Sequence, residues 1–337
     1  MPIKLGVLGI DHGHIFGMLS SMKAQGCTCD AYWTDGAAVT EEKFKQVFID
    51  VAKVDDRRRI LEDPEISMVL ISAVPADRAQ LAIEAMEAGK DVMVDKPGCV
   101  TLEQLSKIKE VQARTGRIWT VNFSERFEVP AVTRAEELVF GGAIGRVVQT
   151  IGIGPHKKNL GSRPDWFFKR DRFGGILTDI GSHQIDQFLH FTGSTSAEIS
   201  HALVENTTMP DQPEFEDFGE IVLRSDHGHG YIRVDWFTPN GLPTWGDGRL
   251  FIQGTDGHIE LRKYTEIGRP HVTNSLFLVN GEKNELIPCE DAGRPYFPRV
   301  VADVQDRTET AVSQSHTYTT MELAIQAQAL AEGRVAC

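Results

Sequence analysis

The amino-acid sequence predicts an α/β protein of two domains, with a parallel sheet in the first and a large, mostly antiparallel sheet in the second. Apolar strands alternate with amphipathic helices up to about residue 123, which is the pattern of right-handed βαβ units. From residue 124 the chain changes to longer strands joined by hairpin turns. A length of 337 residues is sufficient for two separate hydrophobic cores. We therefore expect domains at residues 1–123 and 124–337.

The predicted elements follow the apolar periodicity of the chain. In the first domain, strands are expected at residues 3–8, 28–33, 68–73, 91–94 and 119–123, and helices at 15–25, 41–48, 77–88 and 102–115. The run at 68–73 is almost continuously apolar, which is typical of a strand covered by helices on both faces. In the second domain, strands are expected at 146–154, 197–205, 216–224, 230–237, 249–253, 258–262 and 275–279, and helices at 176–191 and 319–331.

The composition argues against several classes of partner. A formal net charge of −13 opposes binding to nucleic acid or to an anionic membrane surface, since both need clustered Lys and Arg. The five cysteines are scattered and odd in number, which argues against a disulfide framework and for a reducing compartment. The start shows no signal-peptide pattern, and no window approaches the roughly 18 to 20 apolar residues of a membrane-spanning helix. We expect a cytoplasmic protein with neither a nucleic-acid nor a membrane partner.

The strongest chemical signal lies in the predicted helix at residues 176–191. Asp179, His183 and Asp186 stand at i, i+4 and i+7, which places two carboxylates and an imidazole on one stripe of an α-helix. Such a polar line must face a cleft or water, and an imidazole held by a carboxylate suits a general base. A solvated helix face with chance spacing is the alternative. Gly181, inside the helix, suggests that another group approaches the backbone closely.

A glycine-containing turn follows the first predicted strand. Residues 9–14 read Gly-Ile-Asp-His-Gly-His, which matches the dinucleotide-binding pattern G-x-G-x-x-G only in part, because Asp11 and His14 occupy glycine positions. An ionised Asp11 would repel phosphates unless the loop takes another path or a protonated His12 or His14 lies between them. A loop that no longer binds nucleotide is the alternative.

Two other predicted strands end in candidate binding residues. Asp35, just past the second strand, is placed to accept the adenosine ribose hydroxyls, and neighbouring Thr34 is the alternative contact. Because a carboxylate repels a 2′-phosphate, Asp35 favours NAD over NADP, although Thr34 leaves NADP open. Lys96 follows the strand at 91–94 and so projects from the edge where open α/β sheets bind ligands. A surface lysine at a turn is the alternative for Lys96.

Several motifs taken together resemble one family. They are Asp63-Pro64-Glu65-Ile66, the run from Ala85 to Val92 into Asp95-Lys96-Pro97, Arg126-Phe127, and the stretch from Gly174 to Asp186. On these residues the chain resembles the Gfo/Idh/MocA family, the glucose-fructose oxidoreductase and inositol dehydrogenase-like sugar and polyol dehydrogenases. The resemblance covers nearly the whole chain. It implies a Rossmann dinucleotide-binding domain, a substrate-binding and oligomerisation domain, an NAD or NADP cofactor, and a homodimer or homotetramer.

The resemblance also implies roles for individual residues. The family's active-site lysine and D-x-x-x-H pair correspond to Lys96, Asp179 and His183, so His183 would accept the hydroxyl proton of a secondary alcohol. Lys96 would stabilise negative charge on the same oxygen, and Asp179 would orient the imidazole and a substrate hydroxyl. The nicotinamide would carry the hydride. The expected cofactor contacts are Gly9, Ile10, Asp11, His12, His14, Asp35, Val74 and Lys96.

The sequence departs from the family pattern at two further places. Asp95 replaces the usual Glu before Lys-Pro, which shortens the side chain. Residues 74–78 read Val-Pro-Ala-Asp-Arg where Pro-Asn-x-x-His is common, so Arg78 stands at the position of the histidine. Together with Asp11, these departures bear on how the cofactor is held.

The predicted loop at residues 155–173 is rich in aromatic and long basic side chains. Trp166 could stack on the apolar face of a sugar, and Arg163, Lys169 or Arg172 could hold a carboxylate. A solvated loop with aromatic anchors in the core is the alternative. The expected substrate contacts are Lys96, Arg163, Trp166, Asp179 and His183.

The sequence therefore predicts an NAD(P)-dependent oxidoreductase that acts on a secondary hydroxyl of a sugar, polyol or sugar derivative. Three alternatives remain: a redox-neutral lyase or glycosidase that retains NAD, a non-catalytic sugar-binding homologue that has lost nucleotide binding, and a metal-dependent hydrolase. His227 and His229 give the only hint of a metal in the sequence. Zinc sites usually take three or four spaced ligands, so we expect none.

Overall fold

Two sheets organise the chain. A computed structural model describes residues 3–36, 38–269 and 271–334, and over these residues fourteen strands form one sheet of six and one of eight. Contacts within the chain group into two units, which are not continuous in sequence. The first comprises the described residues of Met1–Asn122, Ser162–Gly174 and Tyr296–Tyr318, and the second those of Phe123–Gly161, Gly175–Pro295 and Thr319–Cys337. The change of unit after Asn122 is next to the expected division, but residues 162–174 and 296–318 group with the first unit.

The six-stranded sheet is parallel throughout. Its strands are β1 (Lys4–Ile10), β2 (Thr28–Trp33), β3 (Ala52–Lys53), β4 (Ile66–Ser72), β5 (Asp91–Asp95) and β6 (Trp119–Asn122), in the order β3-β2-β1-β4-β5-β6. The helices between them are α1 (His14–Lys23), α2 (Glu41–Val47), α3 (Arg58–Leu61), α4 (Pro75–Glu87) and α5 (Leu102–Thr115). This is the predicted doubly wound fold, and the central strands β4 and β5 are almost wholly buried because helices cover both faces.

The eight-stranded sheet is antiparallel except at one pair. Its strands are β7 (Val147–Pro155), β8 (Glu198–Glu205), β9 (Phe218–Arg224), β10 (His229–Asp235), β11 (Arg249–Gly254), β12 (Gly257–Arg262), β13 (Ser275–Asn280) and β14 (Asn284–Ile287). Their order is β14-β13-β12-β11-β7-β10-β9-β8, and only β7 and β10 pair in parallel. The sheet confirms the predicted mostly antiparallel second half.

The remaining helices complete the two units. They are α6 (Ser124–Phe127), α7 (Pro130–Phe140), α8 (Arg170–Phe173), α9 (Ser182–Thr192), α10 (Tyr296–Asp306) and α11 (Gln314–Ala331). The sequence reading missed helices α3, α6, α7, α8 and α10 and strands β3 and β14, and it began the last helix five residues late. Helix α7 packs on the β12–β13 side of its sheet, where Ala131, Val132 and Ala135 contribute to a buried apolar cluster. Among the described residues, no helix is both long and apolar enough to cross a membrane.

Candidate active-site residues

A cavity opens in the first unit where β1, β2 and β4 end. It has a volume of about 360 Å³, and four of the predicted cofactor contacts line it: Gly9, Asp11, Asp35 and Val74. Open α/β sheets bind ligands at this edge. Gly9 has a φ of +77°, and a Cβ there would lie 2.4 Å from the Ala73 Cβ, so only glycine fits. The other lining residues are Trp33, Arg57, Ala73, Ala76, Asp77, Gln80, Leu81 and Arg172.

The end of β2 carries features that suit the adenosine half of a dinucleotide. The Thr34 hydroxyl, beside Asp35, is buried and has no hydrogen-bond partner among the described residues. Buried hydroxyls normally have a partner, so a polar ligand would satisfy it. Arg57 lies over the Trp33 ring at 5.3 Å from its centroid, and its Nε is 2.7 Å from a Glu84 carboxylate oxygen. Glu84 therefore already balances the charge of Arg57, which lines the cavity.

Asp11 differs electrostatically from an ordinary surface carboxylate. Burial raises its pKa to about 6, while the charge of Arg78 acts in the opposite direction. The carboxyl therefore titrates close to neutral pH, and its repulsion of a phosphate would weaken as the pH falls below about 6.

A second arginine of the cavity is committed to an internal ion pair. Arg172 on α8 makes two hydrogen bonds to the Asp77 carboxylate at the start of α4, at 2.9 and 2.6 Å. The expectation that Arg172 is available for a substrate carboxylate is therefore not met in this structure. Arg172 binds Asp77 because both side chains line the same cavity.

Asp95, at the end of β5, is the centre of a buried hydrogen-bond cluster. The Nδ1 atoms of His12 and His14 each lie 2.8 Å from a different oxygen of its carboxylate. Ser72 Oγ and Arg78 Nη2 donate to the same carboxylate at 3.1 and 3.0 Å. Burial opposes ionisation, but Arg78 and the two imidazoles hold the Asp95 pKa well below its usual range. Asp95, whose side chain is shorter than that of the family's usual Glu, thus links His12 and His14 to the end of β5.

The imidazoles do not offset the charge of Asp11 as the sequence suggested. Both rings turn to Asp95 instead, because that carboxylate is buried and offers two oxygens. Burial also lowers the pKa of His12 to about 4, so this imidazole is neutral at physiological pH. Of the other predicted contacts in the loop, Ile10 has a buried side chain, and its carbonyl oxygen accepts a hydrogen bond from Thr40.

The same cluster has the residue types of a metal site. His12, His14 and Asp95 offer ligand atoms that lie within 4.8 Å of one another. An ionised carboxylate only accepts hydrogen bonds, so each Nδ1 carries a proton and has no lone pair for a metal. Arg78 already balances the carboxylate charge. At the two Nδ1 atoms the geometry therefore favours hydrogen bonds over metal coordination.

Lys96 is not a surface lysine. It is 3% exposed and begins the turn after β5, where the Lys96–Pro97 peptide is cis. The Arg78 guanidinium, itself 1% exposed, holds this turn by donating to the main-chain oxygens of Asp95, Lys96 and Pro97. Sequence reasoning treated Arg78 only as a departure from the family pattern. Its role depends on residues 17 to 19 positions away, which no local pattern indicates.

The predicted helix of the second unit begins with a π-helical turn. Leu177–Gly181 form this turn, and α9 follows from Ser182. A π-turn holds one more residue than an α-turn, so Asp179 and His183 are not in simple α-helical register. Asp179 is partly exposed, whereas His183 is 1% exposed and meets the Phe123 ring edge-on at 6.2 Å. A Cβ on Gly181 would lie 3.4 Å from Ile221 and farther from other side chains, so no side chain of the described residues makes the expected close approach there.

Asp186 does not belong to a cleft-facing polar stripe. Its two oxygens accept hydrogen bonds from Arg126 Nε and Nη2, both at 2.6 Å, and the carboxylate is fully buried. This expectation failed because the stripe assumed a straight α-helix with one polar face. The pair instead ties α9 to α6 inside the second unit.

Glu125 is a buried carboxylate that sequence reasoning missed. Its Oε2 accepts hydrogen bonds from Lys263 Nζ at 2.7 Å and from Gln184 Nε2 at 2.8 Å. All three side chains are about 1% exposed. The only available signal was that Glu125 lies beside Arg126 in the family motif, since Lys263 is 138 positions away.

The remaining predicted substrate contacts pack locally. The Arg163 guanidinium lies 4.2 Å from the centroid of the Phe167 ring, and the Trp166 and Phe167 rings are 6.3 Å apart. Arg163 and Trp166 belong to the first unit with Lys96. Asp179 and His183 belong to the second.

Comparison with known families agrees with this architecture. A model described as an oxidoreductase family with an NAD-binding Rossmann fold matches residues 29–123. A second, the GFO/IDH/MocA C-terminal domain, matches residues 132–260. The chain belongs to the Gfo/Idh/MocA family. The first model covers most of the six-stranded parallel sheet, and the second covers most of the eight-stranded sheet.

Relatives of the Gfo/Idh/MocA family include several named dehydrogenases. The NAD⁺-dependent scyllo-inositol 2-dehydrogenase of Bacillus subtilis is 28% identical over 241 residues, which are 69% of this chain and 65% of that protein. Levoglucosan dehydrogenase of Pseudarthrobacter phenanthrenivorans is 32% identical over 161 residues, 47% of this chain and 40% of that one. A crystal structure from Erwinia carotovora atroseptica, for which only the class oxidoreductase is suggested, is 42% identical. The superposition covers 97% of this chain and 98% of the Erwinia chain, with a TM-score of 0.94.

Proposed function

We propose that this protein is an NAD(P)-dependent dehydrogenase that oxidises a secondary hydroxyl of a sugar, polyol or sugar derivative. The observation that carries the proposal is the cavity at the ends of β1, β2 and β4, where only glycine fits at position 9. The buried Thr34 hydroxyl at the end of β2 adds a polar group with no hydrogen-bond partner among the described residues. Helix α1 begins at His14, three residues after Asp11 of the cavity lining, and no described side chain caps its N-terminus. These residues fit a dinucleotide.

The chemistry is assigned to Lys96, Asp179 and His183. A bound nicotinamide would accept the hydride from the carbinol carbon. His183 accepts the hydroxyl proton, and the Lys96 ammonium stabilises the negative charge that grows on the oxygen. Asp179, in the π-helical turn, orients the imidazole and a neighbouring substrate hydroxyl. The turn is consistent with this role, because π-turns inside helices are frequent at functional sites.

NAD is the proposed cofactor in preference to NADP. Asp35 lines the cavity at the end of β2, and its carboxylate would repel a 2′-phosphate. The nearby Arg57 is a poor compensation because Glu84 already binds it. Gly9, Ile10, Asp11 and Val74 would contact the dinucleotide through the loop and the start of α4. His12, His14 and Lys96 would contribute at its nicotinamide end.

The proposed substrates are cyclic polyols and sugars, the class that the names of the two dehydrogenase relatives indicate. Lys96, Asp179 and His183 would bind the reacting hydroxyl, with Arg163 and Trp166 as further contacts. We also propose a cytoplasmic homodimer or homotetramer. Light scattering on the purified protein measures the oligomeric state directly.

The deciding experiment combines cofactor binding with a substrate screen. Thermal unfolding is measured with excess NAD⁺, NADH, NADP⁺ and NADPH, since a ligand that binds the native state raises its stability. NADH formation is then followed with inositols, anhydrosugars and aldoses. We expect stabilisation by NAD⁺ or NADH and turnover of a cyclic polyol or sugar. Tight binding of nucleotide with product formed but no net NADH would replace the dehydrogenase by a redox-neutral enzyme, and no binding at all would exclude both.

A further inference from the structure

The second unit buries an ion pair next to the proposed base. Glu125 on α6 and Lys263 after β12 are each 1% exposed and lie 2.7 Å apart. A buried pair of this kind is weak evidence for stability, since removing two charges from water costs about as much as their attraction returns. One carboxylate oxygen, Glu125 Oε1, has no hydrogen-bond partner among the described residues. A buried carboxylate oxygen without a hydrogen-bond partner is unfavourable for folding, and we therefore look for a functional reason for Glu125.

The position of Glu125 is fixed through Gln184, the residue after His183. Gln184 donates to Glu125 Oε2 at 2.8 Å, while Gln187 Nε2 donates to the His183 carbonyl oxygen at 2.8 Å. Two glycines of β7 make room for the Gln184 side chain. A Cβ on Gly152 would lie 2.5 Å from Gln184 Oε1, and a Cβ on Gly154 would lie 3.1 Å from its Nε2. Glycine at these two positions of β7 therefore leaves the space in which the Gln184 amide contacts the Glu125 carboxylate.

The charge of Glu125 acts on a small set of neighbours. Burial alone would favour the protonated acid, but Lys263, His183 and His156 lower the Glu125 pKa to about 2. The carboxylate is therefore ionised at neutral pH. Because electrostatic interaction is mutual, its negative charge favours a positive imidazole at His183.

We propose that Glu125 is a positioning residue whose buried charge, anchored by Lys263 and Gln184, stabilises the imidazolium that forms when His183 takes the substrate proton. The inference rests on the proposed function, in which the hydroxyl O–H bond breaks, an N–H bond forms on His183 and the hydride leaves with the cofactor. Lys263, His156 and Tyr264 interact electrostatically with the same Glu125 carboxylate. Asp179 and the Arg126–Asp186 pair are further charged groups on or bound to the helical segment that carries His183. The family pattern led us to expect Asp179 as the acidic partner of His183, and Glu125 adds a second, fully buried one.

The test is the pH dependence of kcat/KM in charge variants. Glu125→Gln should move the acid limb of the profile about one pH unit lower and reduce the plateau, because the imidazolium loses its counter-charge. Lys263→Met should move the acid limb to higher pH, because the negative charge of Glu125 then has no positive partner and stabilises the imidazolium more strongly. A purely structural role would lower activity in both variants without shifts of opposite sign. The double variant Glu125→Gln/Lys263→Met leaves no lone buried charge, so it keeps the test open if a single variant does not fold; its limb should move lower by less than that of Glu125→Gln.

A control and an activity-independent measurement complete the design. The double variant Asp186→Asn/Arg126→Met removes another buried ion pair of this unit, and its acid limb should stay in place because both Asp186 oxygens are bound by Arg126, so the two charges compensate each other. Titration of ¹⁵N-histidine signals, with His183→Asn used for assignment, should show the same shifts for His183. Unchanged midpoints in Glu125→Gln and in the double variant overturn the proposal. Shifted midpoints without NAD(P)-linked turnover would leave the coupling intact and refute the dehydrogenase instead.

Discussion

The Arg78 guanidinium donates a hydrogen bond to the main-chain oxygen of Lys96, and so holds the turn that presents the proposed catalytic amine. It also pairs with Asp95 at 3.0 Å. Arg78→Met should therefore destabilise the fold by roughly 3 to 5 kcal/mol, since it leaves a buried carboxylate without its counter-charge. Chemical denaturation measures this loss. Arg78→Lys keeps the charge but not the planar set of donors, and equal stability of Arg78→Lys and the wild type would contradict the assigned geometry.

Lys96→Ala and His183→Ala should each abolish turnover while the protein stays folded. The first removes the positive charge at the reacting oxygen and the second removes the base, and each effect is commonly worth 10²-fold or more, as an order of magnitude. Initial rates with the best substrate and a thermal unfolding curve check both halves of the claim. Near-normal rates in either folded variant would sink the mechanism.

Nucleotide affinity should rise as the pH falls from 7.5 to 5.5. Burial raises the Asp11 pKa to about 6, so the carboxyl is mainly ionised and repulsive at pH 7.5 and mainly neutral at pH 5.5. Titration calorimetry with NAD⁺ across this range measures the effect. In Asp11→Asn the affinity should be high and nearly independent of pH, and a variant that keeps the wild-type slope would assign the dependence to another group.

Asp35→Ser should improve the use of NADP⁺ relative to NAD⁺ by about tenfold, because one like charge is removed from the 2′-phosphate. The ratio of kcat/KM for the two cofactors is the readout. Asp77→Asn/Arg172→Met serves as the matched control, since both side chains line the cavity and removing this ion pair leaves the net charge of the lining unchanged. The interpretation of Asp35 fails if both variants change the ratio equally.

Treatment with EDTA should leave both activity and melting temperature unchanged. The Nδ1 atoms of His12 and His14, which lie next to the Asp95 carboxylate, donate hydrogen bonds to it and offer no lone pair to a metal there. Metal analysis of the purified protein and assays before and after chelation test this. If EDTA abolished activity and a divalent ion restored it, His12, His14 and Asp95 would have to bind a metal ion, and the metal-dependent hydrolase would become the better interpretation.

The fold could be predicted from sequence where the signals are local. Thr28–Trp33 and Leu102–Thr115 have the predicted bounds, and the helix owes its clear limits to the Thr101 hydroxyl at one end and Gly116 in a left-handed conformation at the other. Helix α10 and strand β14 were missed, although Asn280-Gly281 before β14 and Gly293 and Pro295 before α10 are turn signals in the sequence. The π-turn at Leu177–Gly181 was missed because its residues have ordinary α-helical periodicity in the sequence.

The site was predictable only in part, for a related reason. Gly9, Asp11, Asp35 and Val74 meet in the cavity because each follows or adjoins a strand end, which the sequence marks. Ion pairs such as Arg126–Asp186 and Glu125–Lys263 join residues 60 and 138 positions apart. No local pattern indicates them, and so the sequence assigned Asp186 to the wrong environment.

The cluster around Asp95 also offers a way to recognise close relatives of this protein. The aspartate is one methylene shorter than the family's usual glutamate, and the two imidazoles of the β1–α1 loop reach its oxygens directly. A glutamate would push its carboxylate into the space that these rings occupy, so the acid and the histidines should change together during evolution. A genome search that requires Gly-x-Asp-His-x-His near the start and Asp-Lys-Pro some eighty residues later would then collect one subgroup with a shared loop geometry.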